Sequence, residues 1–215
     1  WYTTTSELNV LHAWMDAGGG VFATGDHDYL GASMCTRIPR VGTMRKWTNA
    51  DLGPPISGST RLDTNRPATP GEESGSDTIA NANERDNIPQ QIDWIPMRTI
   101  RSGLRVTKYP HEILCHPTRG VINVMPDHPH EGLCFEPSTI DYTANVKFGA
   151  TQEYPTHGSV QPKPRIIAYG NVIARDNYQK NEVNAAHFPM ISVYDGWEGN
   201  SSSTGRVVVD STWHH

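Results

Sequence analysis

Acidic and histidine side chains follow three apolar runs of this chain, close to the point where each run ends. The runs cover 21–24, 120–125 and 205–210, and the residues in or after them are Asp26 and His27; Asp127, His128, His130 and Glu131; and Asp210, His214 and His215. Neutral imidazoles and carboxylates together suit zinc, iron or manganese. A metal with an open coordination position lowers the pKa of its bound water, which becomes a hydrolytic nucleophile. The pattern indicates a hydrolytic pocket with a divalent metal as its candidate cofactor.

The predicted roles follow from side-chain chemistry. Four histidines are candidate metal ligands or acid–base groups: His27, His128, His130 and His214. Three carboxylates are candidate catalytic groups, as ligands, as general bases or as partners that orient the imidazoles: Asp26, Asp127 and Glu131.

Each group also has a structural interpretation. Asp is a preferred helix N-cap, so Asp26 would cap a helix with His27 as its neighbour. Pro126 and Pro129 bracket His128, which suits a rigid turn that faces solvent. The histidines at 214 and 215 end the chain, where a tag remnant is the alternative to native residues. Because no HExxH motif occurs, the sequence leaves both interpretations open.

Other common chemistries fit the sequence less well. A nucleophilic cysteine is expected at a sharp strand-to-helix turn, yet the turn after 21–24 carries no cysteine. No Gly-x-Ser-x-Gly elbow occurs. The glycines at 18–20 precede an apolar run instead of following one, so they do not form a phosphate-binding loop.

The elements that must position these groups are a helix and several strands. Thr4 and Glu7 stand at capping-box spacing before a helical pattern over about 6–17, which the glycines at 18–20 end. Strands are predicted at 21–24, 120–125, 165–169, 190–194 and 205–210. In open parallel sheets ligands bind beyond the carboxyl ends of the strands, so we expect the three polar groups to share one pocket.

The chain is predicted to be a single domain over 1–215 with a long irregular insertion. Residues 48–91 are rich in Gly, Pro, Ser, Thr and Asn and lack apolar periodicity, which favours an insertion or lid. Ile92, Trp94 and Ile95 are expected to anchor its far end. Trp94 or Trp213 would offer an aromatic platform for a sugar ring.

The composition limits the classes of partner that the chain is expected to bind. A net charge of −5 and the lack of any Lys/Arg run argue against a nucleic-acid partner or an anionic membrane surface. No apolar stretch reaches the roughly 20 residues of a membrane span. The three cysteines allow one disulfide or buried thiols and leave the compartment open.

The run from Leu11 to His27, with Gly18-Gly19-Gly20 before the strand, resembles a helix–glycine–strand–His segment of the trehalose-utilisation (ThuA-like) family. That family belongs to the class I glutamine amidotransferase-like superfamily. The run from Gly205 to His214 resembles the late strand of the same family. The resemblance implies a flavodoxin-like three-layer α/β/α sandwich with a mostly parallel sheet, whose first β-α unit would precede Trp1. It also implies a link to carbohydrate metabolism and, since no cysteine occupies the turn after 21–24, no glutaminase activity.

The sequence therefore predicts a hydrolase-like enzyme, with a divalent metal as candidate cofactor, that acts on a small polar or carbohydrate-type substrate. The alternative is a non-catalytic binding or structural module of a larger assembly or homo-oligomer. In that case the polar groups only satisfy strand ends, and the 48–91 segment wraps a neighbouring subunit.

Overall fold

The computed structural model describes residues 3–24, 34–45, 90–125, 134–172, 175–176, 182–183, 186–197 and 204–211. The 48–91 insertion lies outside this part, except for its last two residues, which begin a strand. Within the described ranges, no helix is long and apolar enough to cross a membrane.

The predicted N-terminal helix is confirmed as α1, Thr5–Asp16. Its start is a complete capping box, because the Thr4 side chain accepts from the Glu7 amide while the Glu7 carboxylate accepts from the Thr4 amide at 2.7 Å. Leu8 and Met15 are fully buried on its inner face. A short helix, α2, covers Val41–Met44.

The glycines after α1 let the chain turn back under close packing. Gly18 has a φ of 99°, a conformation that side chains rarely adopt. The Gly19 carbonyl lies so near Gly205 that a Cβ on Gly205 would clash with it, and the Gly205 amide donates to the Met15 carbonyl at 2.8 Å. The glycine run therefore places the end of α1 against the start of the last strand.

Twelve strands follow in the described residues. They are β1 Val21–Ala23, β2 Gln90–Trp94, β3 Arg98–Ser102, β4 Arg105–Tyr109, β5 Cys115–His116, β6 Gly120–Val121, β7 Val124–Met125, β8 Arg165–Val172, β9 Arg175–Asp176, β10 Glu182–Val183, β11 Ala186–Asp195 and β12 Arg206–Asp210. The strands predicted at 165–169, 190–194 and 205–210 are confirmed as β8, β11 and β12. The single strand predicted over 120–125 is replaced by the short strands β6 and β7.

Six strands form one sheet in the order β1-β12-β11-β8-β2-β7. β1 and β12 are parallel neighbours, whereas the other pairs of this sheet are antiparallel. The pairings give β1, β12, β8 and β7 one direction, and β11 and β2 the opposite one. A separate hairpin pairs β3 with β4.

The predicted flavodoxin-like three-layer α/β/α sandwich with a mostly parallel sheet is wrong. In the part of the chain that the structure describes, strands make up 40%, there are two α-helices, and the main sheet is mixed. The prediction failed because uninterrupted apolar runs were taken as a sign of parallel strands. An antiparallel sheet that is covered on both faces produces the same runs.

Both faces of the sheet carry core residues. In β12, Val207 and Val209 pack with Met15 and Tyr194 on one face, while Val208 packs on the other. Burial of such side chains contributes roughly 1.5–3 kcal/mol each. Covering both faces explains why β12 reads as an unbroken apolar run. Ile92, predicted as an anchor, is buried in this core, and Trp94 packs against it.

Candidate functional site

The predicted site residues themselves lie outside the described residues. This holds for Asp26, His27, Asp127, His128, His130, Glu131, His214 and His215, whereas Asp210 is described. The strands that precede the predicted groups are described, and so are Thr24, Cys134 and Ser211. The structure therefore shows where these segments leave the sheet.

Two of the predicted groups follow adjacent strands. Phe22 is level with Val208 and Ala23 with Val209 in the parallel β1–β12 pair, so both strands end at the same edge. Beyond that end, the Thr24 hydroxyl donates to Oδ1 of Asp210 at 2.8 Å. Asp210 itself is only 7% exposed. We call Thr24, Arg45, Cys134, Asp210 and Ser211 the β12 rim.

The rim also contains a buried thiol and a buried guanidinium. The Cys134 Sγ lies 3.3 Å from the Met190 carbonyl oxygen and 3.7 Å from that of Val209. Burial raises the pKa of the Cys134 thiol to about 12, although the nearby Arg45 guanidinium opposes the rise. Because Cys134 stays a neutral thiol at neutral pH, it is not a nucleophile.

The third predicted group follows β7 at the opposite edge strand of the sheet. β7 runs in the same direction as β12 but lies four strands away, about 19 Å at the usual strand spacing. The chain is described again at Cys134, whose amide donates to the Pro189 carbonyl at 2.8 Å. The segment that carries Asp127 to Glu131 therefore leaves the sheet at β7 and rejoins the described chain at the β12 rim.

A second polar group, which the sequence prediction did not include, lies at the other end of the same strands. Asp195 ends β11, beside the first residues of the antiparallel β8 and β12. Its Oδ2 accepts from His111 at 3.0 Å and from Arg165 at 2.9 Å, and its Oδ1 accepts from Arg206 Nε at 2.6 Å. Arg206 also donates to Glu112 at 2.5 Å. We call His111, Glu112, Arg165, Asp195 and Arg206 the Asp195 cluster.

The electrostatics of this cluster favour an ionised Asp195. Burial alone would raise the pKa of Asp195, but hydrogen bonds and charge from His111 and Arg206 outweigh it and lower the pKa to about 2. Both ring nitrogens of His111 have a partner, because Nε2 lies 3.0 Å from Asp195 and Nδ1 accepts from the Ile113 amide at 3.3 Å.

No protein-family model, curated protein or solved structure matches this chain. The resemblance to the ThuA-like family stays a prediction. The assignment of function consequently rests on the geometry of the residues themselves.

A third buried polar network has a structural role. The Glu153 carboxylate accepts from the Arg40 amide and, at 3.1 Å, from the Thr43 hydroxyl. The Arg40 guanidinium lies 5.5 Å from the centre of the Tyr194 ring and 3.3 Å from Asp16. Burial raises the pKa of Glu153, and these bonds oppose that rise. The network ties α1 and α2 to the sheet, which is sufficient to explain it.

In the part of the chain that the structure describes, no group of three or more His, Cys, Asp or Glu side chains could hold a metal. Asp210 offers one oxygen ligand at the rim. The three cysteines are free thiols, so the disulfide alternative is not realised. The sequence carried one indication of the Asp195 cluster, because charged residues directly flank the apolar runs of β8, β11 and β12.

Proposed function

We propose that the chain is a hydrolase-like enzyme whose site is at the β12 rim and acts on a small polar or carbohydrate-type substrate. The observation that carries the proposal is the hydrogen bond between Thr24 and Asp210. It joins the ends of two parallel neighbours, and Asp26 and His27 follow one end within three residues while His214 follows the other within four. Short segments from the two ends can therefore reach a common point.

Cys134 supports including the third group at this rim. Glu131 precedes Cys134 by three residues, and three residues span at most about 11 Å. The carboxylate of Glu131 is thus within reach of Asp210 by chain length. Metal binding would rest on His27, His128, His130 and His214, and a bound divalent ion would supply an activated water.

Among the rim residues, Asp210 has the role of a positioning group. The Thr24 hydroxyl fixes one carboxylate oxygen, and an ionised carboxylate is an acceptor for hydrogen bonds from an imidazole or from water. An oriented carboxylate of this kind selects the tautomer of a neighbouring histidine. This role requires the negative charge, so the amide analogue should not replace it.

The test is a hydrolysis assay with p-nitrophenyl acetate and p-nitrophenyl glycosides, with Mn²⁺ or Zn²⁺ added or EDTA present. Asp210→Asn and His27→Ala should each lower the rate by about a hundredfold or more, a typical loss for acid–base or orienting groups. Asp93→Asn is the matched control, since Asp93 is an exposed strand carboxylate with a side chain 67% accessible. Equal rates in Asp210→Asn and Asp93→Asn, with both variants folded, would reject the proposal.

The second candidate function is that of a binding module, and the feature that favours it is the β3–β4 hairpin. Most of its residues are exposed, and Leu104 at its tip is completely so. Residues 97–109 carry four cationic side chains and no acidic one. If this surface holds a larger assembly together, Leu104→Glu should change the mass measured by sedimentation, while the rim variants leave it unchanged.

A further inference from the structure

A cavity of about 640 Å³ lies between the β3–β4 hairpin and the sheet end that carries the Asp195 cluster. Its size is within the range of small-molecule sites. Ile100 and Tyr109 contribute apolar lining from the hairpin, and Trp197, two residues after β11, contributes more. The cavity lies at the opposite end of β12 from the β12 rim, which is a distance of about 14 Å along this five-residue strand.

The charges that line this cavity do not balance. Arg98, Arg165 and Arg206 contribute positive charges, and Asp195 and Glu112 contribute negative ones. The His111 imidazole is held between Asp195 and the Ile113 amide. The three guanidinium groups exceed the two carboxylates by one positive charge, which matches a monoanion.

The cationic groups are also held in place before any ligand binds. Asp195 fixes Arg165 at 2.9 Å and Arg206 at 2.6 Å, and the Arg206 guanidinium stacks over Trp197 at 4.4 Å from the ring centre. Side chains fixed in this way lose little rotamer entropy when a ligand binds. Asp195 therefore orients the arginines of this wall.

Arg98 supplies a positive charge that is not paired with the carboxylates of the Asp195 cluster. Its side chain is exposed, and no hydrogen bond or ion pair joins that side chain to another described residue. Arg98 and Ile100 stand two residues apart on β3, and Tyr109 is the cross-strand partner of Arg98, so the three share one face of the hairpin. That face lines the cavity.

We infer that this cavity is a binding site for a small organic carboxylate with an apolar body. The carboxylate would meet Arg98 and the positive field of Arg165, and the apolar body would pack against Ile100, Tyr109 and Trp197. A planar guanidinium suits the two oxygens of a carboxylate. The inference concerns a second site and does not depend on the function proposed for the rim.

Benzoate is the probe, and isothermal titration calorimetry at low salt and pH 7.5 is the measurement. Wild-type protein should bind one benzoate per chain. Benzamide, which has the same ring without the charge, and acetate, which has the charge without the ring, should each bind at least tenfold more weakly. Saturable benzoate binding that is matched by benzamide or by acetate would overturn the inference.

Arg98→Gln tests the site, and Arg101→Gln is its control. The two arginines stand on the same exposed strand but on opposite faces, because Arg101 is three residues further along β3. Arg98→Gln should weaken benzoate binding about tenfold, the loss expected for one charge-assisted contact, while Arg101→Gln changes it less than about twofold. Equal weakening by both variants would show non-specific attraction and contradict the site.

Phenyl phosphate separates the carboxylate from a phosphate ligand. Because the cavity has one excess positive charge, phenyl phosphate should bind no more tightly than benzoate. Tighter binding of phenyl phosphate, sensitive to Arg98→Gln, would overturn the carboxylate assignment. A protein that binds none of the four probes would overturn the site altogether.

Discussion

The two ends of β12 hold buried carboxylates in different ways. Asp195, beside the first residue of β12, accepts from two arginines and a histidine and is 4% exposed. Asp210, the last residue of β12, accepts from the neutral hydroxyl of Thr24 and adjoins segments with the predicted imidazoles. The difference indicates that Asp195 uses its charge to fix its neighbours. At Asp210, the Thr24 hydroxyl orients one carboxylate oxygen at the β12 rim.

Removal of the Asp195 carboxylate should give the largest effect on stability. Asp195→Ala leaves Arg165, Arg206 and His111 without their shared acceptor, and loss of one partner from a buried ion pair costs about 3–5 kcal/mol. We expect the lower end, about 3 kcal/mol, because Arg165 is 38% exposed and can be solvated. Urea unfolding followed by circular dichroism measures it.

Asp93→Ala is the control for this substitution. Asp93 accepts from Asn171 at 2.9 Å but is 67% exposed, so its loss should cost well under about 1 kcal/mol. Similar losses for Asp195→Ala and Asp93→Ala would mean that the Asp195 cluster does not hold the sheet end together.

The next largest effect is expected from acid, which protonates Asp195 and removes its contribution to the free energy of unfolding. The pKa of Asp195 in the folded protein is about 2, below its ordinary value of 3.8. Its stabilisation is therefore complete above about pH 4 and is lost as the pH falls toward 2. The shift corresponds to about 2 kcal/mol.

The measurement is the free energy of unfolding of wild-type protein and Asp195→Asn between pH 5 and pH 2. The difference in the free energy of unfolding between wild type and Asp195→Asn should narrow by about 2 kcal/mol from pH 5 to pH 2, since the asparagine variant lacks the titrating group. A constant gap would contradict the ionised, charge-clamped Asp195.

How much of this was visible in the sequence differs between the two ends of β12. The capping box at Thr4 and the strands β8, β11 and β12 follow from local patterns, since periodicity and caps involve residues close in sequence. The direction of the strands does not, because it depends on pairings such as Val193 with Arg165 and with Val208. Assuming parallel strands produced the wrong fold class.

The site predictions show the same limit. Asp210 was identified because polar residues follow its strand, which is a local feature. The Asp195 cluster was missed because its members come from His111, Arg165 and Arg206, which only an antiparallel sheet brings together. Long-range pairing, which no local pattern carries, decides which charges meet.

At the other end of β12, loss of the Thr24 hydroxyl should have a moderate effect. Thr24→Val preserves the shape of the side chain and removes the donor to Asp210, which should cost about 1 kcal/mol. Thr24→Ser retains the hydroxyl and should restore most of the difference in urea unfolding. If Thr24→Ser is as unstable as Thr24→Val, the hydroxyl does not support Asp210 and the loss comes from packing.

The smallest effect is expected at the exposed edge of the Asp195 cluster. Glu112 pairs with Arg206, but its side chain is 71% exposed. Glu112→Gln should therefore change the free energy of unfolding by less than about 1 kcal/mol. A loss as large as that of Asp195→Ala would show that Glu112, rather than Asp195, fixes Arg206.

The proposed enzyme requires that the ends of β1 and β12 bring the predicted imidazoles together at the Asp210 side of the sheet. The test of this convergence is the metal content of protein purified with Zn²⁺ or Mn²⁺, measured by mass spectrometry. It compares the wild type with His27→Ala and His214→Ala, and His116→Ala, at an exposed histidine, is the control. We expect about one metal ion per chain in the wild type and in His116→Ala, and loss of that ion in both rim variants. Metal-free wild-type protein, or metal retained in His27→Ala and His214→Ala alike, would contradict it.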